Sequence, residues 1–167
     1  MDVNRGKAAI IMGSDSDLSI VNKAIKVLKR FGVDFEARVI SAHRTPDKAA
    51  SFAKEAEEKG FEIIIAAAGK AAHLPGVLAA YTLLPVIGIP VKSSALDGMD
   101  ALLSIVQMPS GIPVATVGID GAENAGLLAV EILSLKYPIL KEELRSYRNT
   151  MEKEVEEKDQ RVKMETR

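Results

Sequence analysis

Phe61-Glu62-Ile63-Ile64-Ile65-Ala66-Ala67 sets three isoleucines in a row between Gly60 and a loop of small residues. A strand with one wet face alternates apolar and polar residues. An unbroken run of this kind fits a strand covered on both faces, as in the middle of a parallel sheet. Moving upstream, Gly60 ends an Ala-rich helical pattern that runs through Phe52 and Ala56. Thr45-Pro46 supplies an N-cap and a first-turn proline for that helix. A second apolar run lies near Phe35 to Ile40. The first is Ala8-Ala9-Ile10-Ile11-Met12, which ends at Gly13 and precedes a helical stripe at Leu18, Val21, Ile25 and Leu28. Downstream, Val86 to Ile89 and Pro113 to Val117 read as a fourth and a fifth strand. Helices are expected at Asp97 to Val106 and Ala122 to Leu135. Strands alternating with helices predict an α/β fold, a flavodoxin-like three-layer sandwich on a five-stranded parallel sheet. The strand order stays open.

Residues 1–136 are thus expected to form a single α/β domain. The remaining 137–167 differ in character, being dense in Glu, Lys and Arg, with Tyr137, Leu140, Leu144, Tyr147 and Met151 on a narrow helical stripe. This extra C-terminal helix can fold back on its own domain or reach across to a neighbouring subunit. The second is preferred, because a five-strand sandwich is complete without it.

Composition removes several classes of function. The chain has no cysteine, which excludes disulfides, thiolate nucleophiles, Cys-type zinc sites and iron–sulfur clusters. Its 22 Lys and Arg balance 23 Asp and Glu, so the broad basic field behind nucleic-acid or anionic-membrane binding is missing. No signal-peptide stretch precedes the first strand and no run is long enough to span a membrane, so a cytoplasmic location is expected. No Gly-x-Gly-x-x-Gly, P-loop or nucleophile-elbow pattern occurs. A response regulator would carry a phosphoacceptor aspartate after the third strand, where this chain has Ala67-Ala68-Gly69.

Ligands of parallel α/β sheets bind outside the carboxyl ends of the strands. Three polar or small segments fall there. Gly13-Ser14-Asp15-Ser16-Asp17 offers hydroxyls and free N–H groups at a helix start, suited to a phosphate, with Asp17 free to accept from ribose hydroxyls. The plainer reading has Ser14 or Ser16 capping the helix. Ser41-Ala42-His43-Arg44-Thr45-Pro46 joins a planar phosphate-binding fork to an imidazole able to exchange a proton near neutral pH. Here the alternative is a surface histidine beside a salt-bridged arginine. Ala68-Gly69-Lys70-Ala71-Ala72-His73-Leu74-Pro75-Gly76 exposes its backbone to a ligand, while Lys70 either binds an anion or points to solvent. Both histidines of the chain lie on these segments. Ser93-Ser94 after the fourth strand can line the same edge. The constrained run Gln107 to Pro113 enters the fifth strand at its far end; it reads as a rigid αβ connection, and would touch a site only in a neighbour.

Together, Gly13-Ser14-Asp15-Ser16-Asp17, Ser41-Ala42-His43-Arg44-Thr45-Pro46, Ala71-Ala72-His73-Leu74-Pro75-Gly76 and the run Leu102 to Val114 resemble the N5-carboxyaminoimidazole ribonucleotide mutase family, also described as the catalytic subunit of phosphoribosylaminoimidazole carboxylase. The likeness covers about Ala8 to Leu135. It implies a flavodoxin-like subunit in a homo-octamer and an imidazole ribonucleotide as substrate. It also implies that no metal or organic cofactor is used. By motif, Ser14, Ser16, Ser41 and Arg44 would hold the phosphate and Asp17 the ribose; Gly13, which lets the backbone turn tightly and approach an anion, joins them as a substrate-binding residue. His43 would move the proton at C4 of the imidazole. Ala68, Gly69, Lys70, Ala71 and Leu74, with His73 as a second catalytic group, would enclose the carboxylate. Lys70 departs from the family, which usually shows glycine there. Two rivals remain: a carboxylase using free CO2, and a non-catalytic module that binds phosphoribosyl ligands.

Overall fold

In this computed structural model, residues 4–166 are described; Met1 to Val3, part of the stretch expected to hold no leader, and Arg167 lie outside them. The elements follow the alternation expected. They are β1 Lys7–Met12, α1 Leu18–Arg30, β2 Asp34–Val39, α2 Pro46–Glu55, β3 Ile63–Gly69 and α3 Leu74–Tyr81. Then come β4 Val86–Val91, α4 Met99–Val106, β5 Ala115–Thr116, α5 Ala122–Leu133 and α6 Pro138–Glu165. All strand pairs are parallel, in the order β2-β1-β3-β4-β5. That is the flavodoxin-like order, whose direction of winding reverses between β1 and β3.

The isoleucine run splits between two cores because successive side chains point to opposite faces. Ile63, Ile65 and Ala67 join Ala8, Ile10 and Met12 under α1 and α5. Ile64, Ala66 and Ala68 join Ala9 and Ile11 under α2, α3 and α4. On the first face α1 and α5 meet closely at Gly126, where an added Cβ would lie 2.9 Å from Val27 Cβ and 3.1 Å from Ala24 O. At the amino end of the sheet, Glu62 accepts from Lys136 Nζ at 2.8 Å and from the Tyr137 hydroxyl, tying the start of β3 to the root of α6.

Several boundaries differ from expectation, each for a local reason. Strand β3 begins and ends two residues later than the apolar run suggested. Strand β4 continues past Ile89 through Pro90 to Val91. The Pro90 carbonyl accepts from Asp120 N at 2.9 Å, so its ring nitrogen faces the side where β5 has already ended and no ladder donor is missed. Strand β5 keeps only two of the expected residues. Helix α4 starts at Met99, because Asp97 (φ 56°) and Gly98 (φ 93°) are left-handed and cannot belong to it. Helix α5 stops at Leu133, two residues early.

The C-terminal stripe divides. Leu140 and Leu144 are buried in the α1/α5 core, and Tyr147 packs edge-on against Phe31 with ring centroids 5.9 Å apart. Met151, 41% exposed, still lies beside Leu127 and Leu128 of α5, while beyond it the helix is exposed among the described residues, with Val155 63% exposed and Met164 73%. Its first turns thus belong to the home domain and its distal turns project. No helix among the described residues is long and apolar enough to cross a membrane.

Candidate active site

The winding reversal leaves a crevice between the loops that follow β1 and β3, and a cavity of about 390 Å³ lies there. It is lined by every residue to which the resemblance gave a catalytic or binding role. Gly13, Ser14, Ser16 and Asp17 come from the β1 loop; Ser41, His43 and Arg44 from the β2 loop; Ala68, Gly69, Lys70, Ala71, His73 and Leu74 from β3 and its loop. Ser93 and Ser94, after the fourth strand, line it as well.

The β1 loop is fastened to the sheet by Gly13 N donating to Ala67 O at 3.2 Å. Ser14 does cap the short turn Asp15–Asp17, since its Oγ accepts from Ser16 N at 3.3 Å and from Ser16 Oγ at 2.9 Å. The capping reading is thus seen, and the same two serines line the cavity. Asp17 is partly buried, and burial pushes its carboxyl above the usual range, against the hydrogen bonds from the Ser14–Ser16 turn that favour the ionised form.

Thr45 stands at the N-cap position of α2 as expected, but its side chain does not cap the helix. Its Oγ1 accepts from Ser41 N at 3.1 Å and donates to Ser41 O at 2.9 Å, and makes no bond to the helix. Pro46 at the first helical position has no N–H to cap. Meanwhile Ser41 Oγ accepts from Arg44 N at 3.1 Å. The Ser41–Thr45 loop is thereby closed on itself, fixing where His43 and Arg44 leave the backbone.

Those fixed loops bring the two histidines together. His43 Nε2 and His73 Nδ1 are 2.7 Å apart, with ring planes at 80°. One facing nitrogen carries the proton and the other accepts it, so the pair shares a single proton along that axis. His73 sits at the N-terminal boundary of α3, whose next residue Leu74 is buried and whose second residue is Pro75. That anchoring aims the imidazole across the crevice.

Sequence reasoning passed over Val91 and Lys92, which also line the cavity. Ending the fourth strand at Ile89 hid them; Lys92 is the first residue past the true strand end. Its Nζ lies 2.8 Å from Asp97 Oδ1, and that carboxylate holds the Lys92 ammonium above its ordinary range. The Gln107–Pro113 loop enters at the far end as expected, yet Met108 Sδ reaches within 2.9 Å of where a Gly76 Cβ would stand. It therefore buttresses the first turn of α3 in its own subunit.

A parallel α/β sheet with hydroxyls, a guanidinium and a histidine pair at its switch point is the arrangement of a small-molecule enzyme. The chain belongs to the AIR carboxylase family, whose model matches residues 7–154. The N5-carboxyaminoimidazole ribonucleotide mutase of Pyrococcus abyssi (strain GE5 / Orsay) is 65% identical over 151 residues, covering 90% of this chain and 87% of that one. The protein of the same name from Thermotoga maritima is 56% identical over 156 residues, 93% of this chain and 91% of its own. Among solved structures, Treponema denticola PurE superposes with a TM-score of 0.85 at 32% identity, over 93% of this chain and 97% of that one.

Proposed function

We propose that this protein is a 5-(carboxyamino)imidazole ribonucleotide mutase, an isomerase of purine (IMP) biosynthesis. It moves the carboxyl group from the exocyclic nitrogen to C4 of the imidazole. The observation that carries the proposal is the His43–His73 contact, 2.7 Å long, inside a cavity that is also lined by Arg44 and five serines. Ser14, Ser16, Ser41 and Arg44 take the phosphate at the helix-start end, and Asp17 takes the ribose hydroxyls. The backbone of Ala68 to Ala71 closes over the carboxylate, and Gly13 lets the β1 loop approach the phosphate.

The chemistry balances around one proton. The carbamate N–C bond breaks as the nitrogen gains a proton, releasing CO2 and an electron-rich aminoimidazole. C4 then attacks that CO2, a C–C bond forms, and the C4 proton leaves. One imidazole that gives and takes a proton therefore serves both halves, and His43 is that group. His73 holds the ring's other partner position. Confinement of CO2 beside C4 supplies the rest, because an escaped molecule would have to be recaptured from solution.

The protein is proposed to work in the cytoplasm as a homo-octamer, with the distal turns of α6 on a neighbouring subunit. No cofactor is required by the balance above. A direct test follows conversion of the carbamate nucleotide without ATP or bicarbonate. Wild type is expected to turn over, and His43→Gln to lose at least ~100-fold in kcat while still binding nucleotide. Unchanged turnover in that variant removes His43 from the mechanism and leaves a reading without a proton carrier.

A further inference from the structure

Lys70 combines two properties that an incidental surface lysine lacks. Its φ of 55° lies in the left-handed region, where a glycine sits freely and a side chain is disfavoured. It also lines the cavity, and among the described residues its ammonium makes no ion pair or hydrogen bond. A strained backbone position that keeps a long cation, at the edge of a binding cavity, points to work for the charge.

The placement of the other cations narrows that work. Lys92 is already paired with Asp97 at 2.8 Å. Arg44 spends its backbone N–H on Ser41, while its guanidinium is left unpaired among the described residues. The strand order β2-β1-β3-β4 puts Arg44 on one flank of the β1 hydroxyls and Lys70 on the other, and the Gly69–Val91 register sets Lys70 next to Lys92. Two uncompensated cations thus flank one crevice. The nucleotide proposed above carries two anionic groups, a phosphate and a carboxylate. Arg44, forked and close to Ser41, suits the phosphate with its many acceptor oxygens. The remaining cation matches the remaining anion.

We propose that Lys70 is a specificity-determining residue whose ammonium pairs with the transferable carboxylate, so that the site distinguishes the carboxylated nucleotide from the decarboxylated one. This rests on the mutase reading. It adds a residue that holds the group in transit, beside the backbone that encloses it.

The test compares binding of 4-carboxy-5-aminoimidazole ribonucleotide with that of aminoimidazole ribonucleotide, in wild type, Lys70→Met and Lys70→Gly. Both variants are expected to bind the carboxylated nucleotide about tenfold more weakly, the loss of one charge-assisted contact. Binding of the decarboxylated nucleotide should stay within about twofold, and the salt dependence of carboxylated-nucleotide binding should flatten. Lys70→Gly, freed of the left-handed strain, should melt no lower than wild type, which separates lost charge from lost fold. Arg44→Met should weaken both nucleotides alike. Equal weakening of both ligands by Lys70→Met, or no weakening of either, overturns the proposal. If wild type binds both nucleotides with the expected Lys70 pattern but fails to turn over the carbamate, the mutase reading falls and the pairing stands.

Discussion

Asp17 shows how a binding site costs its own fold. Burial raises its carboxyl above the ordinary range, so folding favours the protonated form. A raised value means that the group's contribution to stability is complete at low pH and is lost as pH rises through the folded-state value. At pH 7 the ionised side chain is therefore a liability in the empty site. Asp17→Asn removes the charge and keeps an oxygen that can accept from Ser16 Oγ, 3.4 Å from Asp17 Oδ1. Its melting temperature at pH 7 should exceed wild type by about 2 °C, with the difference vanishing toward pH 4. Nucleotide binding should weaken in the same variant, because the proposed ribose acceptor becomes neutral. A thermal-shift series from pH 4 to 8 checks both halves; a lower melting temperature at pH 7 contradicts the burial argument.

At the scale of elements, contact geometry decides between opposing effects. Gly126→Ala gains helix propensity worth up to ~1 kcal/mol. It also drives a methyl to 2.9 Å from Val27 Cβ and 3.1 Å from the Ala24 backbone, neither of which is the free end of a flexible chain. Overpacking should win, separating α1 from α5 at a net loss of about 1–2 kcal/mol. The urea midpoint should fall with an unchanged m-value. Strand and helix identities followed from apolar periodicity, since Ile63 to Ala67 can be satisfied only by cover on both faces. The cavity residues followed from chain order alone, because loops after parallel strands must emerge at one edge. Boundaries were lost where tertiary partners overrode local cues: Pro90 tolerated beside a finished β5, and Asp97 twisted left-handed against its helical neighbours. Lys92 was missed for the first of these reasons. The His43–His73 contact was not readable either, since thirty residues separate them and only the β2-β1-β3 order brings their loops across from each other.

On the scale of the whole molecule, the subunit leaves apolar surface that its own fold does not cover. Met99, Leu103 and Val106 on α4 are each about half exposed, Leu83 is 97% exposed, and the distal turns of α6 carry Val155 and Val162 into solvent. Burial of such side chains contributes ~25 cal/mol per Å², enough to favour assembly once several subunits share them. Light scattering of the intact protein at micromolar concentration should give the mass of an octamer. A chain ending at Met151 should keep its fold, because Leu140, Leu144 and Tyr147 remain seated, yet give a smaller assembly. A monomeric intact protein contradicts the octamer, and an unchanged assembly in the shortened chain removes the distal turns from the contact.

The most direct measurement is the fate of the migrating carbon. Carbamate nucleotide labelled in its carboxyl group is supplied in buffer holding unlabelled dissolved CO2, without ATP. Transfer inside one closed site predicts that the label is retained in the C4 carboxylate of the product. Product whose carboxyl carbon comes from the buffer pool at the rate of turnover would contradict a mutase and identify a carboxylase that takes free CO2.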